Sequence, residues 1–312
     1  MSRTAADLDA LLAEIPELQG WPLSVRELSG GITNRNYLVS AGADRYVVRV
    51  PGRDSERLGI DRRAEWAASL AAAAAGVGPE VVRFLEPAGC LVTRYIEGAP
   101  LQPEDIARPE TIARVARALR RFHQGPALPS TFSPFAVATS YLATAQSLGL
   151  PVPPAVLFAM ERAEEMARAV ARSGAGSPAV PCHNDLLLGN FIDDGERIWI
   201  VDWEYAGMGN RFFDLGNLSI NNDFDDDQDR LLLEQSLDQP RPGDLALLKL
   251  MRIASDLREG MWGLVQSRLS DLDFDFTGYS QHHLERLRQG ASDPRYPRWL
   301  EALGSQTTAS GA

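Results

Sequence analysis

The sequence of 312 residues predicts an α+β fold with two lobes: a small N-lobe, built on a mixed sheet with one helix, and a mostly helical C-lobe. Two patterns support this prediction. Short β-type runs punctuated by glycines fill the N-terminal third, whereas long helical patterns dominate after Gly98. The boundary is predicted at Glu97-Gly98, which gives an N-lobe of residues 1–97, a C-lobe of residues 98–304 and a disordered tail of residues 305–312.

The N-lobe contains short runs rich in β-branched and aromatic residues, each bounded by turn-forming residues. These runs predict strands at residues 23–28, 37–40, 46–50, 81–84 and 91–96. A short helix is predicted at residues 8–15 and a longer one at about residues 60–75, where the sequence Gly76-Val77-Gly78-Pro79 ends it. The N-lobe is therefore predicted to be a small sheet accompanied by one principal helix.

The C-lobe is predicted to be helical except for one hairpin. Helical patterns cover residues 103–123, 134–148, 154–173, 226–237, 243–270 and 277–288. The Asp194-Gly195 pair lies between two apolar runs, which is a strong signal for a β-hairpin. The acidic run at residues 221–227 predicts a helix N-cap with acids that complement the helix dipole, in preference to a metal site.

The composition argues against several classes of partner. The net charge is −11, which disfavours binding to nucleic acid or to an anionic membrane. The sequence has neither a signal-peptide pattern nor an apolar run long enough to cross a membrane. Cys90 and Cys182 have no disulfide or zinc-site spacing, so we expect a cytoplasmic location. Lys249 is the only lysine, which excludes a phosphate-binding loop of the G-K-[ST] type.

The most informative segment places His183, Asp185 and Asn190 in the pattern H-x-D-x-x-x-x-N, with Asp202 twelve residues after the asparagine. The intervening hairpin would bring Asn190 and Asp202 together at its open end. Amide and carboxylate oxygens suit Mg²⁺, and Asp185 on the preceding loop is placed to accept a proton. Protein kinases use this combination on Mg²⁺-ATP. The alternative is an ordinary hairpin flanked by polar loop residues, which would suit a lone H-x-D better than the full set.

A second group of residues is predicted to bind the nucleotide. Its members are Gly30, Gly31, Thr33 and Asn34 in a loop between strands, Arg49 within a strand, Glu65 on the following helix, and the backbone of Arg94 and Ile96. Glycines let backbone N–H groups approach phosphates, although on its own such a pair fits a simple turn equally well. A basic strand residue paired with a helix glutamate is the arrangement of kinase folds. For His123, capping or packing is favoured over catalysis.

Together these residues resemble the choline/ethanolamine kinase branch of the aminoglycoside phosphotransferase superfamily. The resemblance covers about residues 23–290. It rests on residues 30–34, Arg49, residues 183–185, Gly189-Asn190, Asp202-Trp203-Glu204-Tyr205, Asp214-Leu215-Gly216-Asn217, and segments 259–266 and 272–279. It implies a protein-kinase-like fold. It also implies transfer of the γ-phosphate of ATP to a small-molecule alcohol.

The resemblance implies roles for individual residues of the catalytic segment. Asp185 would be the catalytic base, with His183 and Asn190 beside it as further catalytic residues. Asn190 and Asp202 would hold Mg²⁺, and Asp214 would brace the catalytic loop.

On the acceptor side, the resemblance implies that Tyr205, Trp262 and Tyr279 line an ammonium pocket, and aromatic faces do attract cations. The sequence departs from the family pattern, which often has Gln at Leu187, a second Trp at Glu259, Tyr at Phe276 and an acid at Asn221. The aromatic cage is therefore predicted to be thinner, with Glu259 supplying charge instead. Phe274 and Phe276 fit an aromatic core stripe as well as they fit a cage.

The sequence thus predicts an ATP- and Mg²⁺-dependent kinase that phosphorylates the hydroxyl group of a small amino alcohol, choline or ethanolamine. One alternative is a sister kinase that acts on thiamine, an aminoglycoside or another amino alcohol. A second alternative is a non-catalytic nucleotide-binding regulator, which the presence of all the catalytic residues disfavours. A homodimer is left open as the assembly.

Overall fold

The computed structural model describes residues 5–28, 34–52, 55–174, 178–270 and 272–304. An antiparallel sheet forms its N-terminal part and helices dominate the remainder, so the predicted α+β class is confirmed. The predicted phosphate loop with Gly30, Gly31 and Thr33 lies outside the described residues, and so does the predicted tail of residues 305–312.

The N-terminal sheet holds Arg49 on its central strand. Its strands are β1 (Leu23–Leu28), β2 (Asn34–Ala41), β3 (Asp44–Pro51), β4 (Val81–Leu85) and β5 (Cys90–Arg94), in the spatial order β1-β2-β3-β5-β4. Burial alternates along β2 and β3, because successive side chains of a strand point to opposite faces of the sheet. The register places Arg49 opposite Asn36 on β2 and opposite Leu91 on β5.

The helices of the described chain overlap every helical segment that the sequence predicts. They are α1 (Ala5–Ala13), α2 (Arg62–Ala74), α3 (Pro103–Ile106), α4 (Pro109–His123), α5 (Pro134–Ser147), α6 (Pro154–Ser173), α7 (Arg211–Asn221), α8 (Asp226–Ser236), α9 (Asp244–Leu269), α10 (Phe276–Ala291) and α11 (Tyr296–Gly304). The predicted helix 103–123 is divided between α3 and α4, because Pro109 lacks an amide hydrogen and begins a new helix. The sequence analysis did not predict α7 or α11.

Short strands in the C-terminal part carry the catalytic segment. They are β6 (Ala99–Pro100), β7 (Val180–Cys182), β8 (Phe191–Asp193), β9 (Ile198–Ile200) and β10 (Gly207–Gly209). The predicted hairpin is confirmed, since Phe191 of β8 pairs with Ile200 of β9 and Gly195 turns the chain with a φ of 93°. β7 pairs with β10, so the chain enters and leaves the catalytic segment at neighbouring positions.

Two hydrophobic clusters are seen among the described residues. The smaller one lies between α1 and the N-terminal sheet, and the larger one occupies the helical part. Ala72 of α2 and Val77 just after it belong to the larger cluster. The backbone N–H of Ile200 on β9 also donates to the carbonyl of Val77 at 2.7 Å. α2 is therefore fixed against the hairpin, while the lobe boundary at residues 97 and 98 stays a prediction.

The helix α9 is the central element of the helical part. It is 26 residues long, is buried along most of its length, and packs against α5, α7 and α10. Arg258, Glu259 and Trp262 lie in its buried middle portion. Within the described ranges, neither α9 nor any other helix joins enough length to enough apolar character to cross a membrane.

Candidate active site

The loop that carries Asp185 is held by hydrogen bonds to a side chain of α7. Asp214, in the first turn of α7, is fully buried, and its carboxylate accepts the backbone N–H groups of His183 at 2.9 Å and Asn184 at 2.7 Å. His123 at the end of α4 contacts the same carboxylate through Nε2 at 2.8 Å. These contacts form the brace that the resemblance implies for Asp214, and they give His123 a packing role rather than a catalytic one.

The loop then reverses direction at a residue with unusual backbone geometry. Asn184 has a φ of 68°, a left-handed conformation that a non-glycine residue adopts only when its surroundings hold it there. Its side-chain amide donates to the carbonyls of Tyr205 at 3.0 Å and Cys182 at 3.3 Å. Two residues on, the N–H of Leu186 donates to the Asn217 side chain on α7. Asp185 is therefore held between two anchored neighbours.

His183 uses both ring nitrogens within the loop itself. Its Nε2 lies 2.9 Å from the carbonyl of Val201, and its Nδ1 accepts the backbone N–H of Asp185 at 3.2 Å. Complete burial lowers the pKa of His183 to about 4, so the ring is neutral at physiological pH. Both ring nitrogens are therefore engaged within the fold, which favours a role in positioning Asp185, and the catalytic assignment of His183 stays a prediction.

The open end of the hairpin brings together the two predicted metal ligands. The side-chain amide of Asn190 donates to the Asp185 carbonyl at 2.9 Å, and the N–H of Val201 donates to the Asn190 carbonyl at 3.0 Å. No described group donates to the amide oxygen of Asn190, and Asp202 follows with a left-handed φ of 70°. An amide oxygen and a carboxylate at one point are a donor set that fits Mg²⁺.

Buried charges surround Asp202. Burial raises the pKa of Asp202 to about 6, the guanidinium of Arg49 opposes that rise, and the nearby Glu204 and Glu65 add to it. A carboxylate that is destabilised in this way gains more from a bound cation than one in open solvent does. The raised pKa of Asp202 is thus consistent with a Mg²⁺ site at the open end of the hairpin.

The N-terminal sheet contributes the ion pair that the sequence predicts. Arg49 on β3 contacts Glu65 on α2 as well as Asp202. The Arg49–Glu65 contact is confirmed, while its role toward ATP phosphates stays a prediction. Burial opposes the charge on Arg49, but its carboxylate neighbours dominate and raise the pKa of the guanidinium.

Arg62 and Glu204 also belong to this charged network, and the sequence analysis did not assign either of them to the site. Arg62 at the start of α2 contacts Glu65 at 2.7 Å and Glu204 at 3.1 Å. Asn34, a predicted nucleotide-side residue, donates its side-chain amide to Glu204 at 2.8 Å. Glu204 is 142 residues away from Arg62 in the chain, so no local pattern could have paired them.

The two backbone positions predicted to read adenine differ in availability. The N–H of Arg94, the last residue of β5, already donates to the carbonyl of Glu80 at 2.9 Å. The Arg94 side chain turns away to Asp44 at 2.8 Å. Ile96 lies beyond the end of β5, half-buried in the segment that leads to β6. Of the two, Ile96 is the better candidate, because the Arg94 N–H is used within the fold.

The acceptor side is built by α9 and α10. Tyr279 of α10 donates its hydroxyl to Glu259 of α9 at 2.8 Å, and the ring of Trp262 lies edge-on to that of Tyr279 with 5.6 Å between centroids. Trp262 is only 6% exposed. Phe276 is buried in the core, whereas Phe274 is 45% exposed and touches the rings of Phe276 and Tyr279. Phe276 therefore belongs to the core stripe that the sequence left open.

A residue that the sequence analysis did not single out occupies the centre of this side. The guanidinium of Arg258 on α9 lies over the Tyr205 ring at 4.2 Å from its centroid, donates to Asp185 Oδ1 at 3.0 Å, and contacts Glu259. One face of the Tyr205 ring is therefore covered by a cation of the protein itself, and the role of Tyr205 toward the acceptor stays a prediction. The pair Arg258-Glu259 lies within a buried helix, but nothing local in the sequence distinguishes it from an ordinary solvated pair.

The environment of Asp185 suits a general base. Burial raises the pKa of its carboxyl to about 7, Arg258 opposes the rise, and Glu259, Asp202 and Glu204 add to it. A base whose pKa lies near the working pH transfers protons most effectively.

Comparisons with known proteins define the family. Residues 24–250 match the model of the phosphotransferase enzyme family. A solved structure of a choline/ethanolamine kinase family protein from Mesorhizobium loti is 34% identical, with a TM-score of 0.83 over 96% of this chain and 99% of that one. The chain belongs to the choline/ethanolamine kinase family of phosphotransferases.

Two relatives named as ethanolamine kinases support the same family assignment. A probable ethanolamine kinase A from Dictyostelium discoideum is 30% identical over 301 residues, which cover 85% of this chain and 84% of that protein. A probable ethanolamine kinase from Arabidopsis thaliana is 28% identical over 297 residues, which cover 84% and 78%. The chain is thus an enzyme that transfers a phosphoryl group to an alcohol, and the predicted protein-kinase-like fold is confirmed.

Proposed function

We propose that the protein is an ATP- and Mg²⁺-dependent kinase that phosphorylates the hydroxyl group of ethanolamine or choline, with a preference for ethanolamine. The observation that carries the proposal is the buried Glu259 carboxylate, which lies beside Trp262 and Tyr279 on the acceptor side of the braced Asp185. Relatives named as ethanolamine kinases support the same class of acceptor.

The chemistry assigned to the chain's own residues is proton removal and positioning. Asp185 takes the proton of the acceptor hydroxyl while that oxygen forms a bond to the γ-phosphorus of ATP, and the bond from that phosphorus to ADP breaks. Arg49, held by Glu65, contacts the phosphates. Asn190 and Asp202 would hold Mg²⁺, which when bound neutralises the charge on the phosphates.

The acceptor's ammonium group is assigned to the α9–α10 side. Trp262 and Tyr279 offer aromatic surface, and a cation over such a surface gains about 0.5–2 kcal/mol. The carboxylate of Glu259 can accept a hydrogen bond from a primary ammonium, whereas the methyl groups of choline have no N–H to donate. This difference supports the preference for ethanolamine.

The lobe division at residues 97 and 98, a cytoplasmic location and a homodimer also remain proposals. The acidic net charge of −11 supports a small-molecule substrate over a nucleic-acid partner.

A coupled assay of ADP release across ethanolamine, choline, thiamine and kanamycin, with and without Mg²⁺, tests the proposal. We expect turnover of ethanolamine and choline only, a higher kcat/KM for ethanolamine, and loss of turnover when Mg²⁺ is chelated. The highest kcat/KM on thiamine or kanamycin would instead identify a sister kinase. No ADP release with any acceptor, from protein of normal thermal stability, would support the non-catalytic alternative.

A further inference from the structure

Arg258 is a fully buried arginine at the centre of the acceptor side. Its side chain is only 2% exposed. A guanidinium loses favourable hydration on burial, and the fold recovers that loss only through well-placed partners. The identity of those partners therefore indicates the function of the residue.

The hydrogen bonds of Arg258 are concentrated on two carboxylates. One terminal nitrogen donates to Asp185 Oδ1 at 3.0 Å and contacts Glu259, while the guanidinium carbon lies 4.2 Å from the centroid of the Tyr205 ring. Its Nε and second terminal nitrogen donate to no described group. Arg258 thus joins the candidate base to the acceptor side through a single nitrogen.

The Glu259 end of this connection is firmly anchored. Glu259 accepts the hydroxyl of Tyr279 at 2.8 Å, and the Tyr279 ring packs on the ring of His283 with 4.4 Å between centroids. His283 in turn contacts Asp256 through Nδ1 at 2.8 Å, and Arg286 donates to Asp256 at 2.8 Å. Arg258 is therefore held by a rigid pair of helices.

At the Asp185 end, only one of the two carboxylate oxygens accepts a hydrogen bond from a described residue. Oδ1 of Asp185 accepts Arg258, whereas Oδ2 accepts no hydrogen bond from any described residue. A base that is held by one oxygen presents the other in a fixed direction, and a displacement of about 1 Å at a reacting centre can reduce the rate about 100-fold. The contact through Oδ1 therefore suits a residue that fixes the orientation of the Asp185 carboxylate.

We propose that Arg258 is a positioning residue for phosphoryl transfer: anchored on Tyr205 and Glu259, its guanidinium holds Asp185 through Oδ1 so that Oδ2 faces the acceptor hydroxyl. This inference rests on the proposed function. The competing interpretation is that Arg258 occupies the place of the acceptor's ammonium group and must be displaced by it. The two interpretations predict opposite kinetics.

The test compares wild type with Arg258→Gln, Arg258→Lys and Arg258→Ala, measured with ethanolamine as acceptor. Positioning predicts that Arg258→Gln lowers kcat by about 10- to 100-fold and leaves KM for ATP nearly unchanged. Arg258→Lys keeps the charge and should retain more activity. Guanidinium added at a concentration below the unfolding range should restore part of the kcat of Arg258→Ala.

Arg252→Gln is the matched control. Arg252 lies on the same helix, is largely buried and pairs with Asp229 at 3.0 Å, but it contacts none of the site residues. This variant should lower the melting temperature without changing kcat and without a response to guanidinium. If Arg258→Gln and Arg258→Ala fail to fold, the decision passes to Arg258→Lys, which must then show a lower kcat than wild type.

Two outcomes would overturn the inference. A lower acceptor KM in Arg258→Gln with an unchanged kcat would show that the arginine blocks the ammonium site. A lower kcat that guanidinium does not restore and Arg258→Lys does not improve would show a purely structural role. Failure of the proposed function is separate, because wild type would then turn over neither ethanolamine nor choline.

Discussion

The nucleotide side and the acceptor side of the site are built on different physical principles. On the nucleotide side, charged residues on β3, α2 and the β8–β9 hairpin form a mutual network, in which Arg49 contacts both Glu65 and Asp202. On the acceptor side, two packed helices place one carboxylate among aromatic rings, and an internal cation, Arg258, stands between Glu259 and the base. The first arrangement suits a polyanion with metal, and the second suits a small cation.

This difference predicts where catalysis and acceptor specificity would reside in the proposed enzyme. The braced loop and hairpin depend on backbone geometry, including the left-handed residues Asn184 and Asp202. The acceptor side depends on side-chain identity along two helices, which can change without moving the backbone. We therefore expect variants on the nucleotide side to change mainly KM for ATP and variants on the acceptor side to change mainly KM for the acceptor. The largest effect on kcat is expected at Asp185, which lies between the two sides.

Replacing the base tests that shared point and should give the largest effect. Asp185→Asn keeps the shape of the side chain but removes its ability to take a proton, so kcat should fall by about 10²- to 10⁴-fold. Mg²⁺-ATP affinity, measured by calorimetric titration, and the melting temperature should change little. Asp193→Asn, which removes a carboxylate paired with Arg114 away from the loop, is the control and should keep its kcat. A near-normal kcat in Asp185→Asn would remove Asp185 from the role of base.

Arg49→Ala tests the nucleotide side. The variant removes the guanidinium assigned to the phosphates, so KM for ATP should rise by about 10-fold or more, since a hydrogen bond to a charged group contributes about 1.5–3 kcal/mol. Asp202 loses its guanidinium partner while Glu65 keeps Arg62, so the melting temperature should also fall. KM for the acceptor should stay within about twofold. Arg35→Ala removes an exposed pair with Glu27 on the same sheet and should change neither value, because such pairs contribute at most about 1 kcal/mol. An effect confined to the acceptor KM would contradict the phosphate role.

The same contrast explains what the sequence could predict. The hairpin follows from Asp194-Gly195, and the N-cap of α8 follows from the acidic run, where Asp225 forms a capping box with Gln228. Both are local signals that operate within a few residues. The spacing from His183 to Asn190 is equally local.

The parts that escaped prediction depend on distant partners or on burial. The helix α7 is only 11 residues long, is buried from Phe212 to Ile220, and contains Gly216 and Asn217, residue types with low helix propensity that weaken its helical signal. Arg258 is 73 residues from Asp185, and a charge within a helix is ordinarily solvated, so the sequence carried no sign of this contact. The acceptor side was therefore the less predictable half.

Trp262 tests the acceptor side by removing an aromatic face. Trp262→Ala should raise KM for choline in proportion to a loss of about 1–3 kcal/mol and leave KM for ATP nearly unchanged. Because the side chain is also buried, the melting temperature should fall, and truncation of a buried tryptophan can cost about 3–5 kcal/mol of stability. Trp262→Phe is the control, since it keeps an aromatic face. Equal increases in both KM values, with no recovery in Trp262→Phe, would assign the residue to the core alone.

Glu259→Gln should give the smallest change in kinetic constants, and it tests most directly the preference between ethanolamine and choline. The substitution keeps the shape and an acceptor oxygen but removes the charge, so a primary ammonium loses the difference between a charge-assisted and a neutral hydrogen bond, about 1 kcal/mol. The kcat/KM for ethanolamine should therefore fall about fivefold relative to choline. Both acceptors are measured on one variant, so any change transmitted through Arg258 to Asp185 cancels in the ratio. Tyr279→Phe, which removes only the hydroxyl that donates to Glu259, should shift the ratio in the same direction by less. An unchanged ratio in Glu259→Gln would show that this carboxylate does not set the preference between ethanolamine and choline.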